Sequence, residues 1–466
     1  MTAVDVAIGL DRRNGDGPAH RPLTDLGNAD RLVARHGRDL RYVPGLDWRV
    51  WDGQRWRADA DGEVVRRMAE TVRAMPNESA IAPGDEARTA FARHLLRSEA
   101  QPRIAAAVKL ASVDAAVVSR VDAFDSDPWL LNVANGTLSL QSGELHDHRR
   151  EDLLTKLAPV AYDPHAEAPT WAAFLDRVFA GERPLLDFVQ RAVGYSLTGI
   201  TREQVLFLLF GPGANGKSTF EEICRRLLGD YAQQAPAEMF LEQRHSAGGA
   251  REDLARLPGA RFVAAVETDE GRRLAESLVK QLTGGDTIAT RKLYREIFEF
   301  KPTFKVWLAT NHLPEIRGTD DAIWRRLRTI PFSVTIPEAE RDGELVEKLA
   351  CELPGILRWA VDGCKAWQTC GLTPPEAVAA ATASYRFEMD VLGAFIEERC
   401  STSPELWVTS SELYTVYGYW ADEVGETQLS KRTFGLRLGE RGFKPGRRNG
   451  VRGWEGVAFK PNQGDA

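Results

Sequence analysis

Three short apolar runs stand out along the chain: Gln204–Phe210, Arg261–Val266 and Phe304–Ala309. Each has the length of a strand and is apolar at successive positions, the pattern of a strand buried on both faces of a parallel sheet. Around them the spacing changes to i, i+3, i+4. It predicts helices from Glu63 to about Ala123 and over Trp171 to Leu197, the latter broken at Gly181–Pro184. Two stretches alternate instead. Trp48–Trp56 around Asp52-Gly53 and Asn132–Leu140 around Asn135-Gly136 read as hairpins, because Asp-Gly and Asn-Gly supply tight-turn backbone. Thr24-Asp25 caps a helix carrying Ala29, Leu32 and Val33. The tryptophans of the first hairpin are expected in a core, the commoner fate of such a face, with a base-stacking platform as the alternative.

Read as domains, these elements predict a flexible tail at 1–22, a mixed α+β domain at 23–165 and a helical connector at 166–200. A core built on the three apolar runs follows at 201–336 with a helical part at 337–388, and a last domain covers 389–466. A chain of 466 residues needs several cores. Its 43% hydrophobic and 27% charged residues exclude a disordered or fibrous protein. The net charge of -7 argues against a uniform nucleic-acid coat, so charge matters region by region. The five cysteines lack paired short spacing, which points to reduced, mostly buried thiols and not to zinc. No apolar stretch approaches the roughly 20 residues that span a bilayer. A cytoplasmic protein with no membrane partner, in a bacterial host, is expected.

The chemistry concentrates after the first apolar run. Gly211, Pro212, Gly213, Ala214, Asn215, Gly216, Lys217, Ser218 and Thr219 lie between a strand and a helical pattern ending near Gly229, the context a phosphate-binding loop requires. Small residues let backbone N–H groups wrap the phosphates of ATP, the helix N-terminus favours anions, and Lys217 adds a cation. Ser218 is the expected Mg2+ ligand. The second run ends in Glu267, Thr268, Asp269 and Glu270, which puts carboxylates at a strand tip. Glu267 is the candidate for Mg2+ and water positioning, with Asp269 secondary. The third run ends at Asn311, whose amide can orient an attacking water; alone, such an Asn is a turn former. Arg325 and Arg326, expected on a short helix, suit phosphate contact from a neighbouring subunit or a solvated basic face.

In this order, together with Gly284-Gly285-Asp286, these elements resemble the superfamily-3 (AAA+) helicases of phage and plasmid replication. The segments Lys280–Arg291 and Phe300–Phe304 narrow the likeness to primase-helicases of phages, satellites and plasmids. Leu23–Asp30, Asn132–Gly136 and Asp152–Pro159 resemble that family's N-terminal helicase-associated domain. The resemblance implies catalytic roles for Lys217, Glu267, Asp269 and Asn311, a trans arginine finger at Arg325 with Arg326 as rival, and a hexameric ring. It also implies a channel hairpin bearing Arg291, Lys292, Tyr294 and Arg295, where cations and an aromatic suit a single strand. The polymerase-like domain of priming members finds no room ahead of Leu23, so primer synthesis is not expected, and a separate primase or polymerase is a candidate partner.

From Gln428 to Lys460, nine Lys or Arg residues face only Glu440 and Glu455. Two capped helical patterns and a ribbon beyond Gly442 read as a winged helix-turn-helix. Lys431, Arg432 and Arg437 would face DNA from its second helix, and Arg447, Arg448 and Arg452 from the wing; a solvated face or a protein-docking module is the alternative. The leading expectation is a Mg-ATP-driven helicase acting on single-stranded and forked DNA. An ATP-switched initiator or origin-binding scaffold, and a DNA translocase outside replication, use the same loop chemistry.

Overall fold

The computed structural model describes residues 21–79, 84–242, 253–267, 271–291, 297–316, 321–426 and 428–460. Most of the expected tail lies outside them.

The three apolar runs become neighbouring strands. In order across the sheet, the parallel strands are Leu327–Pro331, Leu206–Phe210, Lys305–Thr310, Phe262–Glu267 and Ala232–Gln234. Both faces are covered, which is why the runs are apolar throughout and do not alternate. Phe207 and Leu209 point to one core, where Trp307 stacks on Phe207 at 4.2 Å and on Phe262 at 5.4 Å between centroids. Leu206 and Leu208 point to the other.

The first face is closed by helices Pro169–Val178, Arg183–Leu197 and Leu353–Cys370. The last two cross closely at Gly194, where a Cβ would fall 2.1 Å from the Cys364 nitrogen, so glycine alone permits the approach. Glu352 accepts the N–H groups of Thr170 and Trp171, both at 3.0 Å, satisfying two donors at the start of Pro169–Val178.

Both hairpins form as expected: Asp47–Trp51 pairs with Trp56–Ala58, and Leu130–Val133 with Gly136–Ser139. An additional strand, Leu40–Val43, pairs on the first. Thr24 caps helix Asp25–His36 through its hydroxyl. The helical stretch after Glu63 divides into Glu63–Ala74, Pro76–Ser79, Asp85–Ser98 and Gln101–Ala111, and stops at Ala111 short of Ala123. The expected boundary at 165 cuts through an apolar core. Residues 29–117 form their own cluster, whereas Leu131, Leu138 and Tyr162 share theirs with Trp171 and Trp307.

The last part has its own core. It runs helix Val391–Arg399, strand Cys400–Thr409, helices Ser410–Val424 and Lys431–Glu440, then the ribbon Lys444–Arg448 and Val451–Phe459. Thr409 and Ser430 cap the second and third of these helices. Cys224, Cys364 and Cys400 are buried and Cys351 and Cys370 exposed, all as free thiols.

Candidate functional site

Register alone assembles the strand tips. Thr310 pairs with Phe210 on one side and with Glu267 on the other. The loop after Phe210, the Asn311 turn and the end of the Glu267 strand therefore lie at one level, with Glu267 two strand spacings, ~10 Å, from the loop strand. This is the carboxyl edge of a parallel sheet, the usual place for a ligand crevice. The side chains of Glu267 and Arg291, and all of Asp269, Lys292, Tyr294 and Arg295, lie outside the described residues.

The loop needs its small residues. Gly216 has φ +90° and leaves 2.6 Å between a would-be Cβ and Val178, so the connector helix backs the loop directly. Gly211 is pressed on the Phe332 carbonyl in the same way. Asn215, 3% exposed, donates its amide to that carbonyl at 2.9 Å, and Ile336 donates its N–H to Ala214 at 2.8 Å. The loop is thus strapped to the chain that follows strand Leu327–Pro331, while Pro212, Gly213 and Ala214 stay exposed. Helix Lys217–Leu228 begins directly after the loop, and a helix N-terminus favours an anion.

Lys217 is buried among acceptors. Its ammonium donates to the carbonyls of Gly211 (2.5 Å) and Pro212 (3.2 Å) and to Asn311 Oδ1 (3.0 Å). Burial lowers its pKa, and Glu221 opposes that shift. Two residues 94 positions apart thereby meet. Ser218 is exposed and Thr219 partly so. Both line a cleft with Glu221, Glu222, Arg225, Gln234, Val266 and Val346. Glu221 is 4% exposed, its Oε1 has no partner, and burial pushes its pKa up to about 8.

The arginine pair does not share a helix. The helix covers Asp321–Trp324, and Arg325 and Arg326 follow it in a turn before Leu327–Pro331. Arg325 is exposed. Arg326, 8% exposed, is bonded inside its own subunit to Thr283 Oγ1 at 3.1 Å and to the Ala322 carbonyl at 2.5 Å. The sequence places Asn215 in the loop but not its bond to Phe332, and it gives no sign of Glu221, whose position beside acidic Glu222 hides its burial.

The basic C-terminal residues gather on one module. Lys431 and Arg432 are exposed on helix Lys431–Glu440, with Arg437 partly buried there. On the ribbon, Arg447 stands directly opposite Arg452, and exposed Arg448 lies 5.7 Å over the Trp407 ring. Like charges paired across strands are destabilising unless an anion lies between them. No described helix is long and apolar enough to cross a membrane, and no group of three or more His, Cys, Asp or Glu among the described residues could hold a metal ion.

Family models match in three places: "D5 N terminal like" at residues 29–180, a family of unknown function (DUF5906) at 209–326, and "Poxvirus D5 protein-like" at 387–455. Among relatives, "Putative helicase L207/L206" of Acanthamoeba polyphaga mimivirus is 30% identical over 293 residues, 58% of this chain and 30% of the relative. "Putative helicase 022R" of Frog virus 3 is 27% identical over 382 residues, 64% of this chain and 39% of the relative. "Putative primase C962R" of African swine fever virus is 25% identical over 340 residues, 65% and 34%. The chain spans about a third of the length of these relatives. They belong to large DNA viruses, and the expected bacterial host finds no support among them. The apo C-terminal region of NrS-1 (305–718) superposes with a TM-score of 0.51 at 10% identity, covering 93% of this chain and all of that one, a likeness of fold. With D5-type matches at residues 29–180 and 387–455 and these relatives, the chain fits the superfamily-3 primase-helicase type.

Proposed function

We propose that the chain is an ATP-hydrolysing DNA helicase of replication, with an AAA+ P-loop core and a C-terminal winged helix-turn-helix, working as a ring, hexameric by family likeness. The contact between Lys217 and Asn311 carries the reading most directly. It joins the loop cation to the amide of the neighbouring strand tip, where a γ-phosphate would lie between them. The exposed loop backbone and the exposed Ser218 hydroxyl fit a Mg-nucleotide. When bound, Mg-ATP supplies the phosphoanhydride whose cleavage drives the motor.

Each residue then has a task. Lys217 leaves the carbonyls of Gly211 and Pro212 for phosphate oxygens, and Ser218 offers its hydroxyl to Mg2+. Asn311 and Glu267 orient water, and Asp269 stays a secondary candidate. Arg325 supports a role in trans. It precedes the strand whose Leu327 pairs with Leu206, while the loop follows Phe210. That separation is ~13 Å at ~3.3 Å per residue, longer than an arginine side chain. Arg326, spent on Thr283 and Ala322, is the weaker rival. Arg291, Lys292, Tyr294 and Arg295 would track single-stranded DNA from the hairpin Ile288–Arg291 and Ile297–Phe300.

Subunit mixing tests the ring. Lys217→Ala and Arg325→Ala proteins, each inactive alone, should recover part of the ATPase when mixed, because some interfaces then hold one intact Lys217 and one intact Arg325. Full activity of Arg325→Ala alone would refute the shared site. A second reading, an ATP-switched origin-binding scaffold, draws on the opposed Arg447 and Arg452. Nucleotide-dependent duplex binding without single-strand stimulation of the ATPase would favour it.

A further inference from the structure

Helix Glu376–Glu388 has no task in the reading above, yet it touches three parts of the motor. Thr382 Oγ1 accepts the Thr329 N–H at 3.2 Å, covering the outer edge of the central sheet. Tyr385, 1% exposed, donates its hydroxyl to the Pro314 carbonyl, three residues beyond Asn311. The same ring lies edge-on to Trp324, with centroids 5.2 Å apart, and Trp324 immediately precedes Arg325. Arg386 sits 2.7 Å from Asp321, whose carbonyl accepts the Arg325 N–H at 3.0 Å.

The other end of this helix reaches the basic module. Asp390, two residues past the helix, caps Val391–Arg399 and pairs with Arg441. Arg441 closes helix Lys431–Glu440, which carries Lys431 and Arg432. One 13-residue helix therefore bridges the basic face and the turns of Asn311 and Arg325.

We infer that Tyr385 is a positioning residue, fixing the Asn311 turn relative to the Arg325 turn, and that its helix carries DNA engagement of the C-terminal module to both. This rests on the helicase reading and on Arg325 acting in trans. A phenylalanine would fill the same space against Trp324, so what tyrosine adds is the hydroxyl held on the Pro314 carbonyl. The Arg386–Asp321 pair is half-exposed and mostly exposed at its two ends and contributes little stability; what it supplies is alignment.

The test compares the full chain with Tyr385→Phe and Arg386→Ala, the latter on the solvent side and safe for folding. ATP KM and kcat are measured with and without single-stranded DNA. The ratio of DNA-stimulated to basal kcat should fall about fivefold or more in both, with KM unchanged. The charge swap Arg386→Asp with Asp321→Arg should restore the ratio. Unchanged stimulation in both variants, or a swap that fails to rescue Arg386→Ala, would overturn the inference. Arg325→Ala separates the two levels. If it leaves hydrolysis intact, the trans reading itself fails; if it abolishes turnover while Tyr385→Phe keeps full stimulation, only the relay fails.

Discussion

Lys217 and the pair Lys305 and Arg261 are cations buried at opposite edges of the same sheet. At the carboxyl edge, Lys217 is held by Gly211, Pro212 and Asn311. At the amino edge, Lys305 donates to the carbonyls of Thr198, Ile200 and Thr303, and Arg261 to those of Leu197 and Leu130 at 2.6 Å each. Burial lowers the pKa of all three. What separates them is access. Lys217 sits beneath a loop whose residues 212–214 are exposed, so an anion can take over its acceptors. Lys305 and Arg261 are sealed under the end of helix Arg183–Leu197 and the Leu130 strand, at the start of the two strands that lead to Asn311 and Glu267. A buried cation marks a ligand site only where its partners can be exchanged.

The largest effect that sharpens this contrast is on turnover. Lys217→Ala should lower ATP hydrolysis by about 10^2–10^3-fold, the usual cost of removing one preorganised electrostatic donor, with the melting temperature little changed. Phosphate release and thermal melting read the two properties separately.

Lys305→Met should do the reverse. It strips donors from buried carbonyls and should cost roughly 2–3 kcal/mol in denaturant unfolding while leaving nucleotide affinity in place. The same variant has a pH signature. The folded-state pKa of Lys305 lies well below the ordinary 10.5. Between the two values the unfolded chain binds more protons, so wild-type stability rises with pH up to 10.5. In Lys305→Met that rise should flatten.

Glu221 gives a smaller effect of opposite sign. Its folded-state pKa is pushed up to about 8 from 4.5, so between these values the folded state holds the extra proton and stability falls as pH rises. Glu221→Gln should remove that slope in a series of unfolding curves from pH 4.5 to 8. The smallest effect belongs to the exposed ribbon. Replacing Arg447, Arg448 and Arg452 singly by Ala should each reduce the salt dependence of DNA binding by about one unit of log–log slope. An unchanged slope would leave the ribbon a solvated face.

The apolar runs made the central sheet legible, because strands buried on both faces cannot alternate, and the loop motif announced its own strand and helix. Hairpin turns were readable from Asp52-Gly53 and Asn135-Gly136. Contacts between distant segments were not. Asn215 and Phe332 meet across 117 positions, and Tyr385 and Pro314 across 71, with no local pattern to foretell either. Arg325 and Arg326 looked alike in sequence; one turn of backbone exposed the first and buried the second. Pro159–Pro169 looks like a linker in sequence, yet Leu131, Leu138 and Tyr162 before it pack into one core with Trp171 beyond it.

Unwinding of a forked DNA duplex by the purified chain with ATP and Mg2+ tests the central claim most directly. Strand release that requires ATP and disappears in Lys217→Ala is the predicted result. ATP hydrolysis without strand release, or strand release that survives Lys217→Ala, would contradict it.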